Sequence, residues 1–158
     1  MTLTATQPLR VYADTSVYGG VFDEEFAAPS RAFFDRVRQG RFALVVSAVV
    51  LNEIGPAPEP VRTLLDEMLA MAEIVPVSDE ALALQRAYLD NGIVTSGAAD
   101  DALHVALATT GGCAMIVSWN FRHIVHYQKV PLYNAVNILH RRASLEIRSP
   151  LEVIEDED

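Results

Sequence analysis

The sequence predicts an α/β fold, a three-layer α/β/α sandwich with a central, mainly parallel sheet of four to five strands. Two observations predict it. Short apolar runs rich in β-branched residues alternate with longer segments of helical periodicity, the pattern of a parallel sheet with helices on both faces. In addition, no internal repeat or low-complexity linker interrupts the chain. We therefore expect one domain over residues 1–150 and an acidic C-terminal tail over 151–158.

The composition is that of a globular protein. The chain has 158 residues, of which 51% are hydrophobic and 21% charged, which excludes intrinsic disorder. No apolar run approaches the roughly 20 residues of a membrane span, and no secretory signal is expected at the start of the chain. Cys113 is the only cysteine, so a disulfide framework is excluded and the expected location is the reducing cytoplasm.

Charge is distributed unevenly along the chain. The formal net charge of −9 argues against general nucleic-acid binding. Residues 121–148 nevertheless contain five Lys or Arg, one Glu, and three of the four histidines. This basic segment is therefore the part of the chain that suits a polyanion, whereas the final four residues, EDED, are expected to be solvated.

The first predicted strand ends at a carboxylate. Val11–Ala13 has the length and residue types of a buried strand, and Asp14, Thr15 and Ser16 follow where the chain turns toward a helix. Ligands of open α/β sheets bind at the carboxyl ends of the strands, where a carboxylate can coordinate a hard cation. Helix capping by Asp14 or Thr15 explains this stretch alone equally well.

The remaining elements follow from periodicity and turn residues. Tyr18–Glu25 is predicted to be a loop because it contains two glycines and three consecutive acids. Further strands are predicted over 42–46, 74–75, 114–117 and 145–147. Helices are predicted over 28–39, from the Ser47 cap through Ile54, over 61–72, from Ser78 through Asp90, over 98–109 and over 132–142.

Four polar residues stand where apolar elements end. Asp14 follows the first strand, Glu53 lies on the helix after the second, and Asn120 follows the fourth. Asp101 lies in the first turn of a helix that is apolar on nearly every side, and a buried carboxylate is costly unless it is paired or bound to metal. The helix dipole offsets part of that cost.

The neighbours of Asp101 have different interpretations. Asp100 points about 100° away from Asp101 on a helix and is interpreted as a cap or surface acid, with a metal-site role left open. His104 lies on the same face as Asp101 and is interpreted as a hydrogen-bonded core histidine.

With these residues in place, the sequence resembles the PIN-domain ribonucleases, including the VapC-type toxins of bacterial toxin–antitoxin pairs. The matching segments are VYADTSVYGG (11–20), SAVVLNEI (47–54), DDALHVALA (100–108) and VSWNFRHIV (117–125). They span most of the chain in the order of the family. The resemblance implies a PIN-like fold whose acidic residues converge around Mg²⁺ or Mn²⁺.

The resemblance also assigns roles to residues. It implies that Asp14, Glu53 and Asp101 are the catalytic and metal-binding acids. Hydroxyls of Thr15 or Ser16, and of Ser118, are expected to support the site.

The sequence departs from the family at one position. At Asn120 many members carry a fourth acid. Asn still offers a carbonyl oxygen as a metal ligand but removes a charge, so one firmly bound ion is expected.

The expected activity is hydrolysis of RNA phosphodiester bonds by the toxin of a toxin–antitoxin pair. Arg122, His123 and Lys129 are candidates for RNA contact. The resemblance further implies a cognate antitoxin and a homodimer. A catalytically weakened PIN fold that binds RNA or protein is the alternative. A haloacid-dehalogenase-like phosphatase is discounted because Ser16 stands where that chemistry needs a second Asp.

Overall fold

The computed structural model describes residues 7–154 and contains a five-stranded, all-parallel sheet. The strands are β1 (Leu9–Ala13), β2 (Phe42–Ser47), β3 (Glu73–Val75), β4 (Met115–Val117) and β5 (Glu146–Arg148). Their order across the sheet is β3-β2-β1-β4-β5. The predicted α/β class and parallel sheet are therefore confirmed.

Helices connect the strands, as parallel pairing requires. The α-helices of the described residues are α1 (Thr15–Gly20), α2 (Ala27–Arg38), α3 (Ala48–Ile54), α4 (Glu59–Leu69), α5 (Asp79–Asp90), α6 (Ala99–Thr110), α7 (Val130–Leu139) and α8 (Pro150–Val153). A 3₁₀ turn over Ser96–Ala98 leads into α6. Ser47 and Ser78 cap α3 and α5 through their hydroxyls, as the sequence predicts.

The strand order places a crevice beside β1. After β1 the chain adds β2 and β3 on one side of it, whereas β4 and β5 lie on the other. Tyr12, at the centre of β1, is in register with Val45 of β2 and Ile116 of β4. Loops that leave β1 and β4 therefore diverge at their carboxyl ends, which is where open α/β sheets bind ligands.

The predicted loop over Tyr18–Glu25 is wrong in its first three residues. Tyr18–Gly20 form the last turn of α1. Gly20 is buried, and a Cβ there would lie 2.6 Å from Ser30 Oγ and 2.8 Å from Trp119 Nε1. Glycine is therefore required by close packing, not by a turn.

The described residues are helical near their end. The tail predicted from residue 151 begins inside α8, which has a capping box between Ser149 and Glu152. The expected solvated EDED segment lies outside the described residues. Within the described part of the chain, no helix is long and apolar enough to cross a membrane.

Candidate metal centre

Asp14 lies at the crevice between β1 and β4. It is 4% exposed and is the N-cap residue of α1. Its backbone N–H donates to Val117 O at 3.1 Å, which fixes it beside the end of β4. Ser118, the next residue of that strand end, donates its N–H to Arg148 O of β5 at 3.0 Å. The backbone thus holds the carboxylate in a rigid position.

Two hydroxyls orient both oxygens of the Asp14 carboxylate. Ser16 Oγ donates to Oδ1 at 2.5 Å, and Ser118 Oγ donates to Oδ2 at 2.9 Å. Each hydroxyl in turn accepts a backbone N–H at 2.9 Å, Ser16 from Trp119 and Ser118 from Asn120. Because these N–H groups occupy hydroxyl lone pairs, the hydroxyl protons point at Asp14.

The charge on Asp14 is not matched by a strong cation. Burial raises the pKa of Asp14, and the negative charge of Asp101 adds to that rise, while His104, Ser16 and Ser118 act to lower it. No ion pair recorded among residues 7–154 joins Asp14 to a Lys or Arg. A buried carboxylate in this setting is stabilised by a bound cation.

A second hydrogen-bonded chain crosses the same edge of the sheet. His104 Nε2 lies 2.5 Å from Glu53 Oε1, and its Nδ1 lies 2.7 Å from Tyr12 Oη. Tyr12 Oη also lies 2.7 Å from Ser47 Oγ, and Thr15 Oγ1 donates to Glu53 Oε1 at 2.8 Å. The prediction that His104 is a buried, hydrogen-bonded histidine is confirmed.

His104 and Glu53 form an ion pair when His104 is protonated. Burial acts to lower the pKa of His104, but its bond to Glu53 and the charges of Asp14, Glu53 and Asp101 raise it above its usual value. Burial acts to raise the pKa of Glu53, yet His104 and Thr15 lower it overall. A protonated His104 donates from both ring nitrogens, which fixes the direction of the chain through Tyr12.

Asp101 reaches this cluster from α6. It lies half-buried in the first turn of the helix, and its charge raises the pKa of both Asp14 and His104. The two carboxylates are thus close enough to interact electrostatically. Asp100 is exposed in the same turn, as expected of a surface acid, whereas the N-cap of α6 is Ala98.

The donor set is chemically suited to a hard divalent cation, with Asp14 as its centre. Its groups are carboxylates and hydroxyls, which Mg²⁺ and Mn²⁺ prefer. Among residues 7–154, however, no three His, Cys, Asp or Glu side chains form a ready-made metal cluster. Glu53 is held by His104 and Thr15, and Asn120 Oδ1 accepts the backbone N–H of His123 at 2.9 Å.

The candidate RNA-contact residues follow the same strand end. Arg122 is exposed and His123 is half-buried in the turn after β4. Lys129 Nζ donates to Ile93 O at 2.6 Å, so it anchors a loop in addition to any contact with RNA. Arg141 and Arg142 lie past the far end of α7, so the basic segment is divided between the two ends of that helix.

Tyr12 and Ser47 are the site residues that the sequence analysis missed. A signal for Tyr12 was present, because side chains two apart on a strand share a face and Asp14 follows Tyr12 by two. No comparable signal marks Ser47 beyond its capping role.

Solved structures that share this fold include two VapBC complexes and FitAcB. No family model and no curated protein matches the sequence. VapBC2 from Rickettsia felis bound to a promoter DNA fragment matches with TM-score 0.58 and 15% identity, over 89% of this chain and 98% of that chain. DNA-bound VapBC from Salmonella typhimurium matches with TM-score 0.57 and 18% identity, over 90% and 98%.

FitAcB from Neisseria gonorrhoeae matches with TM-score 0.55 and 16% identity, over 89% and 98%. Two of these structural neighbours are thus VapBC complexes and the third is FitAcB. The PIN-like fold predicted from the four segments is confirmed. At this level of identity the likeness concerns the fold.

Proposed function

We propose that this protein is a divalent-metal-dependent endoribonuclease and the toxin of a toxin–antitoxin pair. The observation that carries the proposal is the buried Asp14 carboxylate, oriented by Ser16 and Ser118 and without a Lys or Arg partner in the described part of the chain. It lies at the sheet crevice, with Asp101 and the His104–Glu53 pair around it.

The proposal gives each side chain a task. Asp14 and Asp101 bind Mg²⁺ or Mn²⁺, with Glu53 as the third acid and Asn120 as a neutral oxygen donor. The ion held by these residues would neutralise charge on the phosphoryl oxygens and would lower the pKa of the attacking water, which helps that water to lose its proton. Ser16 and Ser118 orient Asp14, and His104 orients Glu53.

An RNA cleavage assay with Mg²⁺ or Mn²⁺ tests the activity. We expect cleavage by the wild type and a loss of at least about 100-fold in Asp14→Asn and Asp101→Asn, because each removes a charge that holds the ion. Asp66→Asn, an exposed change on α4, is the matched control and retains full activity. Equal cleavage by all four proteins would exclude this site.

The proposed substrate and partners follow the resemblance and the neighbours. The substrate is RNA, held in part by Arg122, His123 and Lys129. The partners are a cognate antitoxin and a second copy of this chain, and the compartment is the cytoplasm.

Expression of the chain alone is expected to arrest growth, and co-expression of an antitoxin encoded beside it is expected to restore growth. If Asp14→Asn arrests growth as strongly as the wild type does, toxicity does not depend on this site.

A weakened PIN fold that binds without cutting is the second candidate. It is favoured by Asn120, which replaces a charge and whose side-chain oxygen is engaged by His123. Calorimetry with Mn²⁺ separates the two. Binding that Asp14→Asn abolishes supports the nuclease, whereas no binding at millimolar Mn²⁺ with RNA binding retained supports the second candidate.

A further inference from the structure

The outer face of α7 is apolar throughout. Its solvent-exposed residues are Pro131, Leu132, Ala135, Ile138 and Leu139. Leu139 is 76% exposed and Ile138 62%, far more than a solvated helix face normally shows for such side chains. No residue of the described chain covers this face, which we call the α7 stripe.

The spacing of the α7 stripe is symmetric about its central residue. Ala135 is flanked by apolar residues at three and four positions before it and at three and four positions after it. All five side chains therefore point within about 60° of one direction. When two copies of such a helix pair antiparallel, the +3 and +4 residues of one meet the −3 and −4 residues of the other. This is the self-complementarity of a two-fold interface.

Ala135, the smallest residue of the α7 stripe, lies at its centre. A two-fold axis at Ala135 brings that residue against its own copy, where a methyl group lets the helices approach closely. The larger Leu132 and Leu139 then pack across the axis on either side. A partner of unrelated sequence would not require this symmetry.

The two ends of α7 carry complementary charge. Beyond its C-terminus lies Arg141. At its N-terminus a cleft of about 660 Å³ includes Tyr127, 81% exposed, together with Glu146, Arg148 and Glu152. Arg148 bonds both carboxylates, which leaves the cleft with one net negative charge. Antiparallel pairing places the Arg141 of one copy at the cleft of the other, where it can stack on Tyr127.

Arg141 has an unusual backbone. Its φ is +60°, and it is the one non-glycine residue with positive φ in the described chain. Arg141 N–H donates to Ile138 O at 3.0 Å and Arg142 N–H to Asn137 O at 2.8 Å, so α7 ends in a Schellman motif with Arg where Gly is usual. An unfavourable conformation retained for a long cation is consistent with a task for its side chain.

We propose that α7 pairs antiparallel with α7 of a second copy, about a two-fold axis through Ala135. The inference rests on the homodimer proposed above and is independent of nuclease activity. The ten residues of α7 span only about 15 Å, so this helix alone buries less than the roughly 800 Å² per partner of a standard interface. The Tyr127 cleft supplies the remaining contact.

Sedimentation velocity of the full chain tests the surface. The wild type is expected at about twice its 17.3 kDa, and Ile138→Glu/Leu139→Glu to raise the dimer dissociation constant at least about 30-fold. Met71→Glu, at a 47% exposed residue away from α7, is the matched control and stays dimeric. Circular dichroism verifies that the variants are folded.

A cross-link supplies a positive readout. In Ala135→Cys, mild oxidation is expected to give a covalent dimer, while buried Cys113 does not react and Met71→Cys gives none. The homodimer and the surface are both overturned if the wild type is monomeric. The same holds if the α7 stripe is covered only when a different protein binds. A dimer that survives Ile138→Glu/Leu139→Glu, without a link at position 135, overturns the surface alone.

Discussion

The single most constrained side chain is Asp14, and its orientation depends on hydroxyls that the backbone itself directs. Trp119 donates its N–H to the hydroxyl of Ser16, and Asn120 donates its N–H to that of Ser118. These hydrogen bonds fix the orientation of both hydroxyls. The carboxylate is consequently held before any ligand arrives. Preorganisation of this kind lowers the cost of binding a cation.

Ser118→Ala tests this arrangement. Loss of one of two donors to Asp14 is expected to raise the pKa of its carboxyl further and to weaken Mn²⁺ binding by about 10–100-fold, measured by calorimetric titration. Ser144→Ala, an exposed change on the loop before β5, is the control and binds as the wild type does. Unchanged affinity in Ser118→Ala would mean that the hydroxyl does not orient the ligand.

Cys113 gives a pH prediction at a site remote from this chemistry. The thiol is 9% exposed, and burial raises its pKa to about 12, with Arg10 lowering it and Glu73 raising it. Because a thiol reacts as thiolate, we expect no labelling of the native protein by iodoacetamide below about pH 10, and rapid labelling once the protein is unfolded. Met71→Cys adds an exposed thiol and is expected to label at pH 8. Native labelling of Cys113 at pH 8 would contradict the burial.

At the scale of elements, α1 explains why sequence reasoning misplaced a loop. Two adjacent glycines normally indicate a turn. Here Gly20 admits the side chains of Ser30 and Trp119, which hydrogen-bond each other at 2.8 Å. Trp119 also stacks on Phe26 with ring centroids 4.2 Å apart. The glycine is thus selected by a contact about 100 residues away, which local sequence does not reveal.

The two glycines make a matched pair of tests. Gly20→Ala is expected to lower the free energy of unfolding by about 1–3 kcal/mol, because its Cβ would overlap Ser30 and Trp119. Gly19→Ala meets nothing within 4 Å and is expected to be neutral or stabilising by up to about 1 kcal/mol. Urea unfolding followed by the fluorescence of Trp119, the only tryptophan, measures both. Equal changes in the free energy of unfolding for the two variants would show that the close contact of Gly20 with Ser30 and Trp119 does not determine stability.

Most other elements were predictable because their signals are local. Ser47 and Ser78 precede apolar periodic segments, and both cap helices through their hydroxyls. The strand order and the pairing of His104 with Glu53 were not predictable. They join residues far apart in sequence, and no local pattern encodes a partner 51 positions away.

At the scale of the whole molecule, net charge and local charge act separately. The chain carries −9 overall, and of the three candidate RNA-contact residues only Arg122 and Lys129 are Arg or Lys. The carboxylate cluster at the crevice repels a polyanion unless a cation neutralises it. On this proposal the ion is needed to bring the phosphate close as well as to activate a water.

Metal addition and removal test that idea on the intact protein. Ligand that binds only the folded state stabilises it by about 2.7 kcal/mol at 100 times its dissociation constant, which corresponds to roughly 5–10 °C for a domain of this size. We therefore expect Mn²⁺ to raise the melting temperature of the wild type and of Asp66→Asn, and EDTA to reverse the shift. Asp14→Asn is expected to melt at the same temperature with and without Mn²⁺. A shift of equal size in Asp14→Asn would place the ion at another site, because the variant lacks the buried charge that the ion is proposed to neutralise.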